Sequence, residues 1–351
     1  MDIFGESFLN KFMTSVDIGI DLGTANILAF LQGKGIVLKE PSVVATDKET
    51  GKVVAVGRAA KIMLGRTPDN IVAARPLREG VIADYDVTQI MLENIIQRVA
   101  GKSLFFKPRV MICIPSGVTS VEKRAVLEAA MQAGAAKTYL IEQPMAAAMG
   151  AGLNICESHG CMVVDIGGGT TDVAVLSLGG IVVSDSLRVG GDKFNESIVR
   201  FVKREHNVLL GEETAEEIKI QIGSVNYHGK KNSQLTVRGQ NLVTGLPSTI
   251  RVTTRETAYA MQEPLHMILR CIRGVLEKTP PELASDIIES GIVVTGGGAL
   301  LDGIGEGIKY DTGIDTRIAE HPMDCVAMGT GIALAHLSVL KDNVVMESRA
   351  Y

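Results

Sequence analysis

Two aspartates, Asp21 and Asp165, each close a short apolar run and are followed at once by a glycine-rich turn. The first stretch reads Val16-Asp17-Ile18-Gly19-Ile20-Asp21-Leu22-Gly23-Thr24-Ala25-Asn26, and the second Met162-Val163-Val164-Asp165-Ile166-Gly167-Gly168-Gly169-Thr170-Thr171-Asp172. Backbone amides in such turns converge on phosphate, and the missing Cβ lets that phosphate come close. The hydroxyls of Thr24, Thr170 and Thr171 and the amide of Asn26 add donors. A carboxylate repels phosphate, so Asp21 and Asp165 make sense in such a site as holders of a hydrated Mg²⁺ that neutralises it. One glycine-rich hairpin taken singly is as readily an ordinary turn. Repetition of both the turn and its Asp is what points to a polyphosphate gripped from two sides.

Two further clusters could complete a nucleotide site. Gly296-Gly297-Gly298, followed by Ala299, sits between a strand and a helix, where helix amides favour an anion and absent side chains leave room for a base or ribose. By itself it is equally a structural turn. Thr214 with Glu217 has capping-box spacing, and Glu216 and Lys219 lie three apart on one helical face. That pair suits ribose and adenine, or else is a plain surface ion pair.

The elements that must position these groups follow from periodicity. Each Asp-glycine turn runs straight into another β-branched stretch, Ile27 onward and Val173 onward, with too few residues between for a helix. Both are therefore hairpins, whereas a Rossmann fingerprint or a P-loop puts its glycines between strand and helix. Gly101-Lys102-Ser103 also fails as a P-loop, because Ile96 stands where its first glycine is required. Further along, strand 110–114 leads to a helix capped by Thr119 with Glu122 and ending near Gly134. Strand 138–141 leads through Glu142 and Gln143 to a helix with Pro144 in its first position, and strand 292–294 leads to the third glycine cluster. Gly329-Thr330-Gly331 reads as the opening of the last helix. The order βββαβα occurs twice, so the chain reads as a duplicated α/β fold whose second half begins near residue 160. Two inserted satellites, about 35–75 and 189–251, interrupt it.

Composition agrees and excludes alternatives. With 351 residues, 46% hydrophobic and 21% charged, the chain is globular and long enough for two α/β domains. A net charge of −5 offers no basic field for a nucleic acid backbone. Five cysteines without ligand spacing or a matched His pair form neither a disulfide framework nor a zinc site, and suit a reducing compartment. No stretch is long and apolar enough to span a membrane, and the start lacks a secretory pattern, so a cytoplasmic location is expected.

Taken in order, these clusters resemble the actin, Hsp70 and sugar-kinase ATPase superfamily. Within it the chain resembles the MreB family of bacterial actins from Val16 to about His336, in stretches such as Glu40-Pro41-Ser42-Val43-Val44-Ala45, Gly80-Val81-Ile82-Ala83-Asp84 and Lys278-Thr279-Pro280-Pro281-Glu282-Leu283. The resemblance implies an actin-like duplicated ATPase fold: two RNase H-like halves around a nucleotide cleft, each with a small inserted subdomain. Domain I would comprise 1–151 with 331–351 (satellite about 35–75), and domain II 152–330 (satellite about 189–251). Residues 21–26 match the first phosphate loop and 165–172 the second, including Gly23, Thr24, Ala25 and Asn26 and Gly167, Gly168, Gly169 and Thr170. Gly296, Gly297, Gly298 and Ala299 match the adenosine loop, and Glu216 and Lys219 the helix against the nucleoside. Asp21 and Asp165 would hold Mg²⁺ through water, and Glu142, Gln143, Asp165 and Thr171 would serve catalysis.

The resemblance further implies binding and hydrolysis of ATP, or of GTP, with the hydrolysis expected to be slowed by Gln143, paired filaments of the chain itself, and work with cell-wall elongation proteins on the inner face of the cytoplasmic membrane in maintaining rod shape. One departure bears on chemistry. The family reads Glu-Glu-Pro where this chain has Glu142-Gln143-Pro144. Glutamine cannot act as a base but can orient a water by hydrogen bonding, as eukaryotic actin's glutamine does at the matching place. Ile27, where the family often has Thr, and Asn195, where an acidic residue is common, also depart.

Two apolar patches suit a lipid surface. Phe4, Phe8 and Phe12 recur every four residues on one helical face, with a frayed or partner-bound terminus as the alternative. Leu104 and Phe105 sit among Lys102, Lys107 and Arg109 and match the family's membrane loop, with burial in the next strand as the alternative. On the same fold, a small-molecule kinase would need a substrate pocket with an Asp base, for which the satellites leave little room. An Hsp70-type chaperone would need a substrate domain beyond Tyr351.

Overall fold

The computed structural model describes residues 16–101, 107–225, 232–337, 340 and 344–348. Its first half opens with an antiparallel meander, β1 (Asp17–Leu22), β2 (Asn26–Leu31) and β3 (Gly35–Pro41). A small sheet follows, made of β4 (Val44–Asp47), β5 (Val53–Val56) and, beyond the short helix α1 (Arg58–Lys61), β6 (Ile71–Ala74). Because β3 pairs with β2, the first satellite sheet begins only at β4, later than the sequence suggests. The hairpin β7 (Leu77–Arg78) and β8 (Val81–Ile82) leads into α2 (Tyr85–Ala100), β9 (Arg109–Ile114), α3 (Ser120–Gln132), β10 (Lys137–Glu142) and α4 (Gln143–Gly150). The Thr119–Glu122 capping box that starts α3 is present. Pro144 takes the second position of α4, one later than expected.

The second half repeats the plan. The meander β11 (Cys161–Ile166), β12 (Thr171–Ser177) and β13 (Gly180–Leu187) is followed by α5 (Gly191–His206). The second satellite contains β14 (Val208–Leu209), α6 (Glu212–Ile222), β15 (Gln234–Asn241) and β16 (Pro247–Thr253). Helices α7 (Thr254–Ala260), α8 (Gln262–Lys278) and α9 (Pro281–Ser290) lead to β17 (Ile292–Thr295), then α10 (Ile304–Thr312), β18 (Thr316–Ile318), α11 (Cys325–Ala335) and β19 (Val344–Ser348). Thr214 caps nothing: α6 starts earlier, behind Gly211, with Glu212 and Glu213 in its first turn where the helix dipole favours them.

The large sheets have orders β19-β10-β9-β1-β2-β3 and β13-β12-β11-β17-β18. In each, the meander's first strand runs parallel to the strand beyond it, β1 to β9 and β11 to β17, so the two hairpin turns lie at equivalent sheet ends. The duplication read from the sequence is thus real, with two further strands: β18, short and mostly exposed, which takes the place in the second sheet that β10 takes in the first, and β19, antiparallel to β10, which has no counterpart.

Each half has its own apolar core, Ile18, Ile20, Leu92 and Ile112 in the first and Val164, Phe194, Ile268 and Val294 in the second. A third cluster joins them, built from α4, α11 and the sheet faces they cover: Met111, Ile141, Met145, Val163, Ala174 and Ala333. Small residues let these two helices approach backbone to backbone. A Cβ on Gly329 would overlap the Ala146 carbonyl, and one on Gly150 the Cys325 carbonyl. Gly329-Thr330-Gly331 therefore lies inside α11 and does not open it; the glycines serve packing.

Candidate nucleotide cleft

Asp21 sits at the end of β1 and is buried, with the Cys113 thiol donating to its Oδ1 at 3.2 Å. Burial pushes its pKa up to about 6, against a smaller lowering by the thiol. Asp165, at the matching place on β11, is 1% exposed and receives two hydrogen bonds: Thr295 Oγ1 to Oδ1 at 2.7 Å and Gln143 Nε2 to Oδ2 at 3.0 Å. Burial still drives it up to about 7, and the charge of Asp21 adds to that rise, so the two carboxylates share one electrostatic environment. A third acid, Asp172, is fully buried at the start of β12 and is pushed by burial up to about 6. Its Oδ1 accepts from the Ser116 amide of the other half at 3.0 Å.

Buried carboxylates this close are costly when ionised, and a cation offsets the cost. Among the described residues no group of three or more His, Cys, Asp or Glu forms a ready metal cage. Two carboxylates without a cage are the donor set that suits Mg²⁺, which keeps most of its waters and relies on ligand phosphates. The residues therefore fit the ion read from the sequence.

The turns beside these acids meet each other. A Cβ on Gly168 would lie 2.6 Å from the Cβ of Ala25, and one on Gly169 2.6 Å from Thr24 Oγ1, so only glycine permits this approach. Gly167 N donates to Thr170 O at 2.8 Å and closes the second turn, while Gly80 N donates to Thr24 Oγ1 at 3.2 Å and covers the first. Helix α5 begins on the second turn: Gly191 N donates to Gly167 O at 2.9 Å and Asp192 N to Gly168 O at 2.8 Å. Asn26 opens β2 just beyond the first turn.

Of the remaining expected residues, Gly296 follows β17 directly and packs against Asp165 and Ile166. A 3₁₀ turn, Gly297–Leu300, follows rather than an α-helix, with Gly297 facing open space and Ala299 buried. Lys219 is half-buried, and its Nζ donates to Gly191 O at 2.9 Å. Burial lowers its pKa. Glu216 does not pair with Lys219 but with Lys61 of the first half, at 2.7 Å. Burial acts to raise the Glu216 pKa, but the Lys61 ammonium, with the charges of Lys219 and Arg75, more than offsets it, and the net shift is downward.

Glu142 precedes α4 and Gln143 is its first residue, which aims the Gln143 amide at Asp165. Thr171 faces the interior, where its hydroxyl donates to Val189 O at 2.7 Å, leaving Thr24 and Thr170 as the hydroxyls at the turns. Ile27 is buried in β2, a packing position. Asn195 is also buried, on the wall of a cavity of about 910 Å³ that reaches Thr24 and Gly169. Phe4, Phe8, Phe12, Leu104 and Phe105 lie outside the described residues. No described helix is long and apolar enough to cross a membrane.

Cys113, Thr295 and Lys61 escaped sequence reading as site residues, because nothing in their local spacing ties them to an Asp or Glu far along the chain. Thr295 alone left a trace, as the residue just before the third glycine cluster.

Two sheets of matching order, joined by a helix pair and opening on facing hairpin turns beside buried acids, define the actin-like duplicated fold. Residues 15–342 match the family model described as MreB/Mbl protein, and the chain belongs to that family. It is 51% identical over 328 residues to the cell shape-determining protein Mbl of Bacillus subtilis (strain 168), covering 93% of this chain and 98% of that one. It is 52% identical over 333 residues to the cell shape-determining protein MreB of Escherichia coli (strain K12), covering 93% and 96%. Among solved structures, MreB5 of Spiroplasma citri bound to AMPPNP superposes with a TM-score of 0.88 at 37% identity, covering 94% of this chain and 99% of that one. A MamK double helical filament shares the fold, with a TM-score of 0.78 at 20% identity over 92% and 99% of the two chains.

Proposed function

We propose that this chain is an ATP-binding cytoskeletal protein that polymerises into actin-like filaments and maintains rod cell shape from the inner face of the cytoplasmic membrane, together with cell-wall elongation proteins. Relatives named as cell shape-determining and a neighbour of known structure bound to AMPPNP, with a counterpart bound to ADP, support this reading. The observation that carries it is the pair of buried acids, Asp21 and Asp165, behind two touching glycine turns.

In this reading the amides of Gly23, Thr24 and Ala25 and of residues 168–170 grip the phosphates from opposite sides, while the Gly167 amide closes the second turn on Thr170 O. Gly296 to Ala299 with Glu216 and Lys219 enclose the nucleoside, adenosine or alternatively guanosine. Mg²⁺, held through water by Asp21 and Asp165, supplies charge neutralisation on the phosphates. Gln143 spends its amide N–H on Asp165 and keeps its carbonyl oxygen to accept from a water. That orients the water without deprotonating it, so hydrolysis is slow. Thr171 holds the second turn through Val189, and Glu142 sets the start of α4. Phe4, Phe8, Phe12, Leu104 and Phe105 would supply the apolar contact with lipid.

Purified protein with Mg-ATP on an anionic lipid monolayer, viewed by electron microscopy, tests the whole reading. Filaments with ATP and none without it are expected; lipid-bound protein that never assembles would contradict it.

A further inference from the structure

The mouth of the cleft is crossed by charge. Three cations stand on the first satellite and the segment that leaves it: Lys61 at the end of α1, Arg66 in the next loop and Arg75 just after β6. Each meets a carboxylate of the second half. Lys61 Nζ lies 2.7 Å from Glu216, Arg66 2.6 Å from Glu213, and Arg75 2.8 Å from Asp192 and 2.9 Å from Glu212. The partners are 117 to 155 residues apart, so no local helical geometry forces them together. Apolar packing does not merge the satellites either: Val43, Ala45 and Ala60 form a core of their own, apart from Leu210, Ala215 and Ile218 across the mouth.

Three of the four carboxylates, Glu212, Glu213 and Glu216, belong to α6, which also carries Lys219. Lys219 is anchored below to Gly191 O, on the helix that starts over the second turn. Helix α6 is thus tied to the phosphate turn on one side and to the opposite satellite on the other. A nucleotide seated between the turns could leave past the satellites only after these ion pairs part.

We propose that Lys61, Arg66 and Arg75 are positioning residues for the bound nucleotide: they form an ionic clasp that holds α6 over the cleft mouth and sets how long the nucleotide stays. They act through α6 and touch no phosphate. The inference rests on the nucleotide reading above. The Arg66–Glu213 pair is solvent-exposed while Lys61 and Arg75 are partly buried, so salt weakens the clasp chiefly at Arg66 and residence time falls as ionic strength rises.

The test uses the full chain, a fluorescent ATP analogue with Mg²⁺, and stopped-flow dissociation at protein concentrations below assembly. Dissociation should quicken several-fold between about 0.05 and 0.5 M KCl, where the screening length shortens to a few ångströms. Arg66→Glu, at an exposed position that leaves the core intact, should speed dissociation about fivefold at low salt, flatten the salt dependence and leave the association rate nearly unchanged. Combining Arg66→Glu with Glu213→Arg should restore slow release, which a merely structural defect would not do. Tight binding with release indifferent to salt and to Arg66→Glu, or a charge swap that fails to restore it, overturns the clasp alone. No binding by the wild-type chain overturns the nucleotide reading and the clasp with it.

Discussion

Asp165 accepts hydrogen bonds from both Thr295 and Gln143, yet burial still carries its pKa to about 7. Asp21 and Asp172 are likewise raised by burial, each to about 6. A carboxyl whose folded pKa lies above its unfolded value of roughly 4 favours the folded state fully below that value and loses the advantage as pH rises through the folded pKa. The ligand-free protein is therefore expected to lose thermal stability between about pH 4 and 7, by several degrees, and Asp165→Asn to flatten that slope. Melting curves across this range would show it; a wild-type profile no steeper than that of Asp165→Asn would contradict it. Gln143 is the other telling residue at this scale. Gln143→Glu sets a second carboxylate against Asp165, which should lower stability without Mg²⁺ and raise phosphate release with it, by about tenfold or more if the new group works as a base. Phosphate release unchanged in an assembly assay would remove Gln143 from the reaction.

Helices α4 and α11 hold the two halves together by near contact of their backbones. Gly329→Ala places a methyl group on the Ala146 carbonyl and is expected to destabilise the protein by about 1–3 kcal/mol, read as a lower urea midpoint at an unchanged slope. A midpoint like that of the wild type would mean the helices separate at no cost. These same elements show what local sequence can carry. The two Asp-ended hairpins were legible because alternating apolar residues, an abrupt glycine turn and a second β-branched run leave no length for a helix. Gly329-Thr330-Gly331 reads locally as a helix opening because glycine usually disfavours helix interiors, and only the Ala146 carbonyl on a neighbouring helix accounts for its place inside α11. The start of α6 differs from its local signal for another reason: Thr214 and Glu217 have the spacing of a cap, but Glu212 and Glu213 extend the helix back to Gly211. Partners such as Lys61 for Glu216 or Cys113 for Asp21 carry no local signal, since the fold alone brings them together.

At the scale of the whole molecule, an overall charge of −5 gives no general attraction to an anionic membrane, so lipid contact is expected at local apolar patches such as Leu104 and Phe105 with their flanking cations. Replacing Leu104 and Phe105 by polar residues, with residues 1–12 removed, is expected to abolish pelleting with liposomes while nucleotide binding persists; undiminished pelleting would rule these patches out. On the proposed reading, duplication yields one shared site, to which each half contributes a buried acid, Asp21 or Asp165, and a glycine turn. The most direct test is calorimetric titration of the purified full chain with Mg-ATP, beside the Asp165→Asn variant. Saturable one-site heat in the wild type, with affinity lowered at least about tenfold in the variant, is the expected result. A wild-type titration without heat at several temperatures, or a variant that binds as tightly, would contradict a shared magnesium-dependent cleft.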